Sequence, residues 1–253
     1  MDSNYTIFRA PGITGKVLNT GSNCTFDPVS LLAVPDDPPC SCKQGTNIQA
    51  GVNGTYFVKK YCHKTFFKSF RYLFRISRPE HCLKAALNLK ANGIDTPQVF
   101  AALRKQKGLL PEFDCLITED ISKEAVFANN MPLTEQLITD LCRFLAALHN
   151  AGIRHGDSNL RNIYRRNSGI WGVIDLDGCT WSSHPVSIRG RRNELARMAS
   201  SFIKLINAYG IAENFPEDIP GIFAGEYEKF AGIAADSAFY RRRTAYLSQR
   251  KRK

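Results

Sequence analysis

His155-Gly156-Asp157-Ser158-Asn159-Leu160-Arg161-Asn162, followed after a short gap by Gly172-Val173-Ile174-Asp175-Leu176-Asp177-Gly178, is the stretch around which the chain is organised. A carboxylate, an amide five residues later and a second carboxylate closing an apolar run set oxygen donors at a fixed spacing. Asp157 falls where a loop leaves a long helix, a position that suits a base orienting a hydroxyl group. Asn162 offers a neutral oxygen and Asp175 a charged one, which suits Mg2+ when water and substrate phosphates fill its other positions. The turn-forming Asn167-Ser168-Gly169 is expected to fold the chain back as a β-hairpin and bring Asp175 beside Asn162. His155 reads as a residue that packs and hydrogen-bonds beneath the loop.

Working outward, Leu133 to Asn150 predicts a helix, because Leu133, Leu137, Leu141, Phe144, Leu145 and Leu148 share one stripe and Gly152 stops it. After Gly178 the pattern predicts a basic turn (Arg189, Arg191, Arg192), a helix from about Asn193 to Tyr209, a connection with Pro216 and Pro220, and one or two closing helices. Upstream, residues 40–61 read as β-structure: a strand, a polar turn at Gly45-Thr46-Asn47, a strand, the hairpin turn Asn53-Gly54, and Thr55 to Tyr61. Lys59 and Lys60 point to opposite faces of that last strand, so one of them faces inward and needs an anion. A helix over 78–92 follows, with Ser77 as cap, Pro79 in its first turn and Gly93 past its end. Strands at Thr96–Ala102 and Cys115–Thr118 flank a turn at Lys105–Gly108, and Glu119-Asp120 comes next. Residues 1–40 read as loops with one or two strands. Their Gly12-Ile13-Thr14-Gly15-Lys16 lacks the spacing and hydroxyl of a P-loop.

Strands first and helices later give an α+β fold with two lobes: a small β-rich N-lobe over 1–120, whose first 40 residues are an irregular extension, and a helical C-lobe over 121–253. The net charge of +11 implies an anionic partner. Residues 241–253 carry seven basic side chains and no acid, leaving 11 − 7 = +4 for the rest, so a basic tail could touch an anionic membrane surface. A nucleic-acid role is disfavoured, since no aromatics interleave the basic residues and no reading motif occurs. The eight cysteines lack metal-site spacing and read as reduced thiols. No leader pattern and no long apolar run are seen, which predicts a cytoplasmic protein, peripheral at most to the inner membrane's cytoplasmic face.

Phosphoryl transfer needs a carboxylate beside the attacking hydroxyl, metal on the phosphates and a cation on the phosphates that stay behind. With these residues in place, the chain resembles the protein-kinase-like superfamily, whose loop reads H-x-D-x-x-x-x-N followed by D-x-G or D-x-D. More narrowly it is similar to bacterial lipopolysaccharide core kinases acting on Kdo or heptose, through Val58-Lys59-Lys60-Tyr61, Leu89 to Pro97, Leu116 to Asp120, Leu148 to Ile153 and Ile174 to Asp177. The resemblance covers roughly residues 55–200. It implies ATP and Mg2+, Asp157 as catalytic base, Asn162 and Asp175 as metal ligands, Lys59 (or Lys60) on the phosphates and Glu119 at the hinge beside adenine. The glycine-rich loop departs from the pattern, and Glu80 is the one acid in 78–92 available to pair with the lysine; Cys82 stands near where that acid was expected. Gly156 in place of an arginine, and the absence of an Ala-Pro-Glu segment, favour a glycolipid or other hydroxyl acceptor over a regulated protein substrate. Two rivals stay open: a small atypical Ser/Thr protein kinase with a His-Gly-Asp loop, and a catalytically weak, pseudokinase-like binding module.

Overall fold

The structure, a computed structural model, describes residues 4–19, 27–33, 45–51, 54–62 and 76–250. The run Pro35 to Pro39, Cys24, Cys40, Cys42, the expected turn residue Asn53 and Lys251 to Lys253 lie outside the described residues. The chain divides into two compact units, one of Met1–Leu87 with Pro97–Lys123 and one of Asn88–Thr96 with Glu124–Lys253.

The first unit is built on an antiparallel sheet of order β1-β2-β5-β6-β4-β3. Strands β1 (Tyr5–Ala10) and β2 (Ile13–Leu18) turn at Pro11-Gly12, where Gly12 takes φ +69°. This hairpin is no irregular extension: β2 pairs with β5, and Ile13 is buried in the sheet's core. A Cβ at Gly15 would lie 2.2 Å from the Ala102 carbonyl oxygen, so the second glycine of Gly12–Lys16 serves strand-to-strand approach. Helix α1 (Pro28–Ala33) adds Leu31 and Leu32 to a core with Tyr56, Val58, Leu103, Cys115 and Ile117. Strand β3 (Gly45–Gly51) pairs with β4 (Gly54–Cys62), with Thr46 opposite Lys59. The expected turn at Gly45-Thr46-Asn47 is therefore strand, because pairing with β4 overrides its turn-like composition.

Helix α2 (Arg78–Ala91) begins at Ser77, whose Oγ accepts the Glu80 N–H at 3.2 Å, and Gly93 follows its end at φ +71°. Strands β5 (Val99–Lys107) and β6 (Leu110–Glu119) run longer than expected. Lys105 lies in strand opposite Phe113, and the turn sits at Gly108-Leu109. The charged residues near the strand ends are paired within the ladder: Arg104 Nε donates at 2.7 Å to the fully buried Asp114 on β6.

In the second unit, β7 (Ala125–Phe127) precedes α3 (Glu135–Asn150), whose Leu137 N–H is capped by Thr134 Oγ1 at 3.1 Å. The expected stripe from Leu137 to Leu148 is buried, and Gly152 turns out of the helix at φ +76°. Strand β8 (Ile153–Arg154) then leads through the loop to β9 (Ile163–Arg166), which pairs with β10 (Trp171–Val173) in the expected hairpin. Tyr164 Oη and Arg166 Nε both donate to Asp95 Oδ2 at 2.6 Å, and the Val173 N–H donates to the Asp95 carbonyl at 3.1 Å. These bonds fix the hairpin that carries Asp175. Strand β11 (Thr180–Trp181) pairs with β8.

Helix α4 (Ile188–Tyr209) starts before Asn193, because Ser187 Oγ accepts the Gly190 N–H at 3.3 Å. The arginines expected in a basic turn belong to its first turns, and a Cβ at Gly190 among them would meet Val186 at 2.8 Å. Helices α5 (Ile219–Ala231) and α6 (Ala238–Gln249) close the chain. Much of the expected basic tail is thus a docked helix, with Tyr240 and Thr244 buried and Arg241 bonded to Asp218 at 2.9 Å and Asp236 at 2.6 Å. Among the described residues, Cys82, Cys115, Cys142 and Cys179 are buried thiols, and no helix is long and apolar enough to cross a membrane.

Candidate active site

Helix α3 and β8 deliver the chain into the loop that begins at His155. This side chain is 1% exposed; its Nε2 donates to the Ile174 carbonyl at 2.8 Å and its Nδ1 accepts the Asp157 N–H at 3.2 Å. Those two bonds set one tautomer and tie the loop to the end of β10. Asn162 Nδ2 donates to the Asp157 carbonyl at 2.9 Å and to Asp157 Oδ2 at 3.2 Å. The donor half of the amide is therefore spent on Asp157, while its Oδ1 accepts no hydrogen bond among the described residues. Ile174 N–H donates to the Asn162 carbonyl at 2.9 Å, which brings Asp175 next to the loop as the hairpin predicted. Asp175 itself sits at φ +61°, ψ +61°, the one positive-φ residue other than glycine among those described. That conformation costs about 1–2 kcal/mol and persists where the surroundings impose it.

Gly156 has φ +88°, and a Cβ there would fall 2.3 Å from the Gly178 carbonyl oxygen. The loop and the segment after Asp175 cross so closely that no side chain fits at 156. The absence of an arginine here thus has a steric cause.

One residue that supports the loop escaped the sequence reading. Glu194, on α4, accepts the Gly156 N–H at 2.6 Å through Oε1, and the His155 N–H at 2.9 Å and His149 Nε2 at 3.2 Å through Oε2. Ser158 Oγ donates to the Glu194 carbonyl at 2.9 Å, and Ser201 Oγ accepts the Leu160 N–H at 3.3 Å. Between them, Arg197 Nη1 reaches Asp157 Oδ1 at 3.4 Å. Positions 194, 197 and 201 share one face of α4, and that face grips the loop. Burial works against the Glu194 charge, but the hydrogen bonds it accepts from His149 and from the Gly156 N–H outweigh it and hold the carboxyl below its usual range. Burial pushes His149 the other way from charge, below its ordinary value. A neutral His149 fits both of its bonds, donating to Glu194 and accepting from Tyr227 Oη at 2.7 Å. A signal existed: Glu194 stands among Leu195, Met198 and Phe202 on the buried side of a helix, where an acid requires partners.

The remaining candidates belong to the first unit. Lys59 and Lys60 are 9% and 7% exposed and lie on opposite faces of β4. Lys60 shares the core face: its Nζ donates to the Leu32 carbonyl at 3.5 Å and lies 5.7 Å from the Phe113 ring centroid. Lys59 Nζ lies 5.2 Å from the Tyr61 ring centroid, and Arg78 at the start of α2 covers the same ring. Glu80 pairs with Lys84 at 3.2 Å, and Cys82 is buried. Glu119 Oε2 accepts the Gln98 N–H at 3.0 Å at the end of β6.

Among the described residues, no group of three or more His, Cys, Asp or Glu side chains could hold a metal ion. An amide oxygen left free at Asn162 and a carboxylate at Asp175 fit Mg2+, which is bound through few protein oxygens plus phosphates and water.

A model of the lipopolysaccharide kinase (Kdo/WaaP) family matches residues 43–218, well over half of the chain. The chain belongs to this family. Among curated relatives, the 3-deoxy-D-manno-octulosonic acid kinase of Vibrio parahaemolyticus is 30% identical over 121 residues, 47% of this chain and 49% of the relative. The kinase of the same description from Vibrio vulnificus is 30% identical over 129 residues, 49% of this chain and 51% of the relative. The chain thus spans about half the length of the curated relatives it matches. The solved structure of WaaP in complex with acyl carrier protein superposes with a TM-score of 0.54 at 17% identity, over 82% of this chain and 86% of that one. The Kdo/WaaP chain described here therefore has a protein-kinase-like α+β fold.

Proposed function

We propose that this Kdo/WaaP-family protein is a kinase that transfers the γ-phosphoryl group of ATP to a sugar hydroxyl of the lipopolysaccharide inner core. The observation that carries the reading is Asn162 bonded through its Nδ2 to Asp157, with Asp175 held in a left-handed conformation directly beyond the Ile174–Asn162 backbone bond. Asp157, half exposed and oriented by Asn162, receives the acceptor hydroxyl and takes its proton as the phosphorus–oxygen bond forms. Asn162 and Asp175 hold Mg2+, which supplies positive charge to the phosphates. Lys59, on the face opposite the Lys60 core contacts, binds the phosphates that stay with ADP, and the backbone around Glu119 meets adenine. In this reading the N-terminal lobe (1–120) binds nucleotide and the C-terminal lobe (121–253) carries out transfer. Exposed arginines such as Arg242 and Arg250 on and beyond α6 offer contacts for an anionic membrane surface on the cytoplasmic side.

The test is transfer of labelled γ-phosphate to a Kdo–lipid A acceptor with and without Mg2+. Transfer is expected to vanish on chelation and to fall at least about a hundredfold in Asp157→Ala and Asp175→Ala. Labelling of generic proteins but not the glycolipid would favour the protein-kinase alternative, and no Mg2+-dependent ATP turnover would leave a binding module.

A further inference from the structure

We infer that the first unit carries a binding site of its own, a cleft between the β1–β2 hairpin and the first turn of α2 that takes a small phosphate monoester. The cleft measures about 250 Å³ and is lined by Ile7, Thr14, Lys16 and Arg104 on the sheet and by Ser77 and Glu80 on the helix side, all within one unit. Its floor follows from strand register. Ile7, Lys16 and Ala102 stand opposite one another across β1, β2 and β5, and Thr14 stands opposite Arg104 in the neighbouring row. Side chains alternate along a strand, so Thr14 and Lys16 point away from the core that takes Ile13. The stretch Gly12 to Lys16 fails as a P-loop, yet its hydroxyl and its ammonium both line this cleft.

The charge in the cleft is uncompensated at one place. Arg104 is offset by the buried Asp114, to which its Nε and Nη2 donate at 2.7 and 3.4 Å, and Glu80 is offset by Lys84 at 3.2 Å. Lys16 is half-buried and has no ion-pair or hydrogen-bond partner among the described residues. Ser77, 9% exposed, accepts the Glu80 N–H at 3.2 Å, and none of the described residues accepts its hydroxyl proton. A half-buried ammonium and a buried, uncommitted hydroxyl donor need an acceptor. A phosphate monoester presents three oxygens, enough for Lys16, Ser77 and Thr14 together. A carboxylate presents two in one plane, which suits a guanidinium fork better than an ammonium and hydroxyls. Ile7, 74% exposed, and Ala102 give the ester's carbon body an apolar surface. Glu80 limits the ligand to one phosphate by repelling a second, and its carboxylate can accept a hydroxyl of the body. The volume equals that of about eight waters and lies below the roughly 300–1,000 Å³ of pockets for larger ligands. A three-carbon monoester fits such a space, whereas a nucleoside triphosphate does not.

The experiment titrates the full chain, isotope-labelled and without ATP or Mg2+, with glycerol 3-phosphate, inorganic phosphate and glycerol at matched ionic strength, and follows the backbone amide resonances. Saturable shifts are expected at Thr14, Gly15, Lys16 and Ser77, with a dissociation constant on the order of a millimolar for the monoester. Inorganic phosphate should bind roughly fivefold more weakly for want of a carbon body, and glycerol should not bind. Lys16→Met should weaken the monoester at least about tenfold, while Lys59→Met should leave it unchanged, which separates the cleft from the proposed nucleotide phosphates. Vesicles of a neutral lipid with and without phosphatidic acid identify the source of the monoester. Retention that depends on Lys16 assigns it to a lipid headgroup, and soluble binding without such retention assigns it to a free metabolite. The inference is overturned if the shifts rise without saturating, as counter-ion screening would produce. It is equally overturned if inorganic phosphate binds as tightly as the monoester, or if Lys59→Met removes binding and Lys16→Met does not. The first two of these results use the wild type, so a poorly folding variant cannot rescue the idea. No transfer reaction enters the measurement, so its outcome stands apart from that of the kinase reading.

Discussion

Gly156 donates its N–H to Glu194 Oε1 at 2.6 Å, joining the start of the loop to a helix 38 residues further along the chain. Glu194→Gln places an amide nitrogen where one of two accepting oxygens stood, and one of the bonds to the His155 and Gly156 N–H groups is lost. A charge-assisted bond of this kind contributes about 1.5–3 kcal/mol. We expect kcat to fall roughly ten- to a hundredfold, and thermal unfolding to drop by several degrees, with KM for ATP little changed. A lowered melting temperature with unchanged kcat would reduce Glu194 to a folding residue.

The two lysines of β4 separate by face. Lys59→Met is expected to reduce kcat/KM for ATP at least about a hundredfold, since the cation proposed to bind the phosphates is removed. Lys60→Met replaces a buried ammonium beside Leu32 and Phe113 with a side chain of similar length, and stability should hold or rise by about 1 kcal/mol. Steady-state kinetics and urea unfolding on both variants decide the matter, and the reverse outcome would move the phosphate site to Lys60.

In the proposed mechanism Asn162 has two duties, orienting Asp157, to which its Nδ2 donates, and offering an oxygen to the metal. Asn162→Ala should therefore raise the Mg2+ concentration for half-maximal transfer by about ten- to a hundredfold and also lower kcat at saturating Mg2+. A change in kcat alone, with the Mg2+ titration unmoved, would remove Asn162 from the metal site.

His149 and Glu194 make the fold sensitive to acid. His149 is held below its ordinary 6.5, so from about pH 6.5 downward the unfolded chain takes up a proton that the folded one refuses, and stability falls as pH falls. Glu194 is held below 4.5, so its contribution is present above that pH and is lost as pH drops toward its lower folded value. Urea unfolding at pH 7, 6 and 5 should show a declining midpoint, and His149→Gln should flatten that decline. A midpoint constant from pH 7 to 5 would contradict the neutral buried imidazole.

The parts legible in the sequence were those whose signal is local. The loop, its hairpin and the stripe of α3 are set by spacing within a few residues, and the structure keeps them. Glu194 and Arg197 act over a distance of some forty residues, and nothing near them in sequence says that their helix face meets the loop. Arg189, Arg191 and Arg192 and the run 241–243 read as turn and tail because their charge masked the helices; Ser187 capping, burial of Tyr240 and the Arg241 pairs decide otherwise. Gly45 to Asn47 looked like a turn for want of any local sign that β4 would claim it as a partner.

Asp175 keeps a backbone conformation that glycine would adopt without strain. On backbone terms alone, Asp175→Gly relieves about 1–2 kcal/mol against roughly 0.5–1 kcal/mol of added chain entropy, so strain favours glycine at a position where the variant is expected to transfer no phosphate. Heat resistance and turnover thus pull this position toward different residues. A library screened only for survival after heating would drift to glycine at 175 and return a sturdier, inert protein.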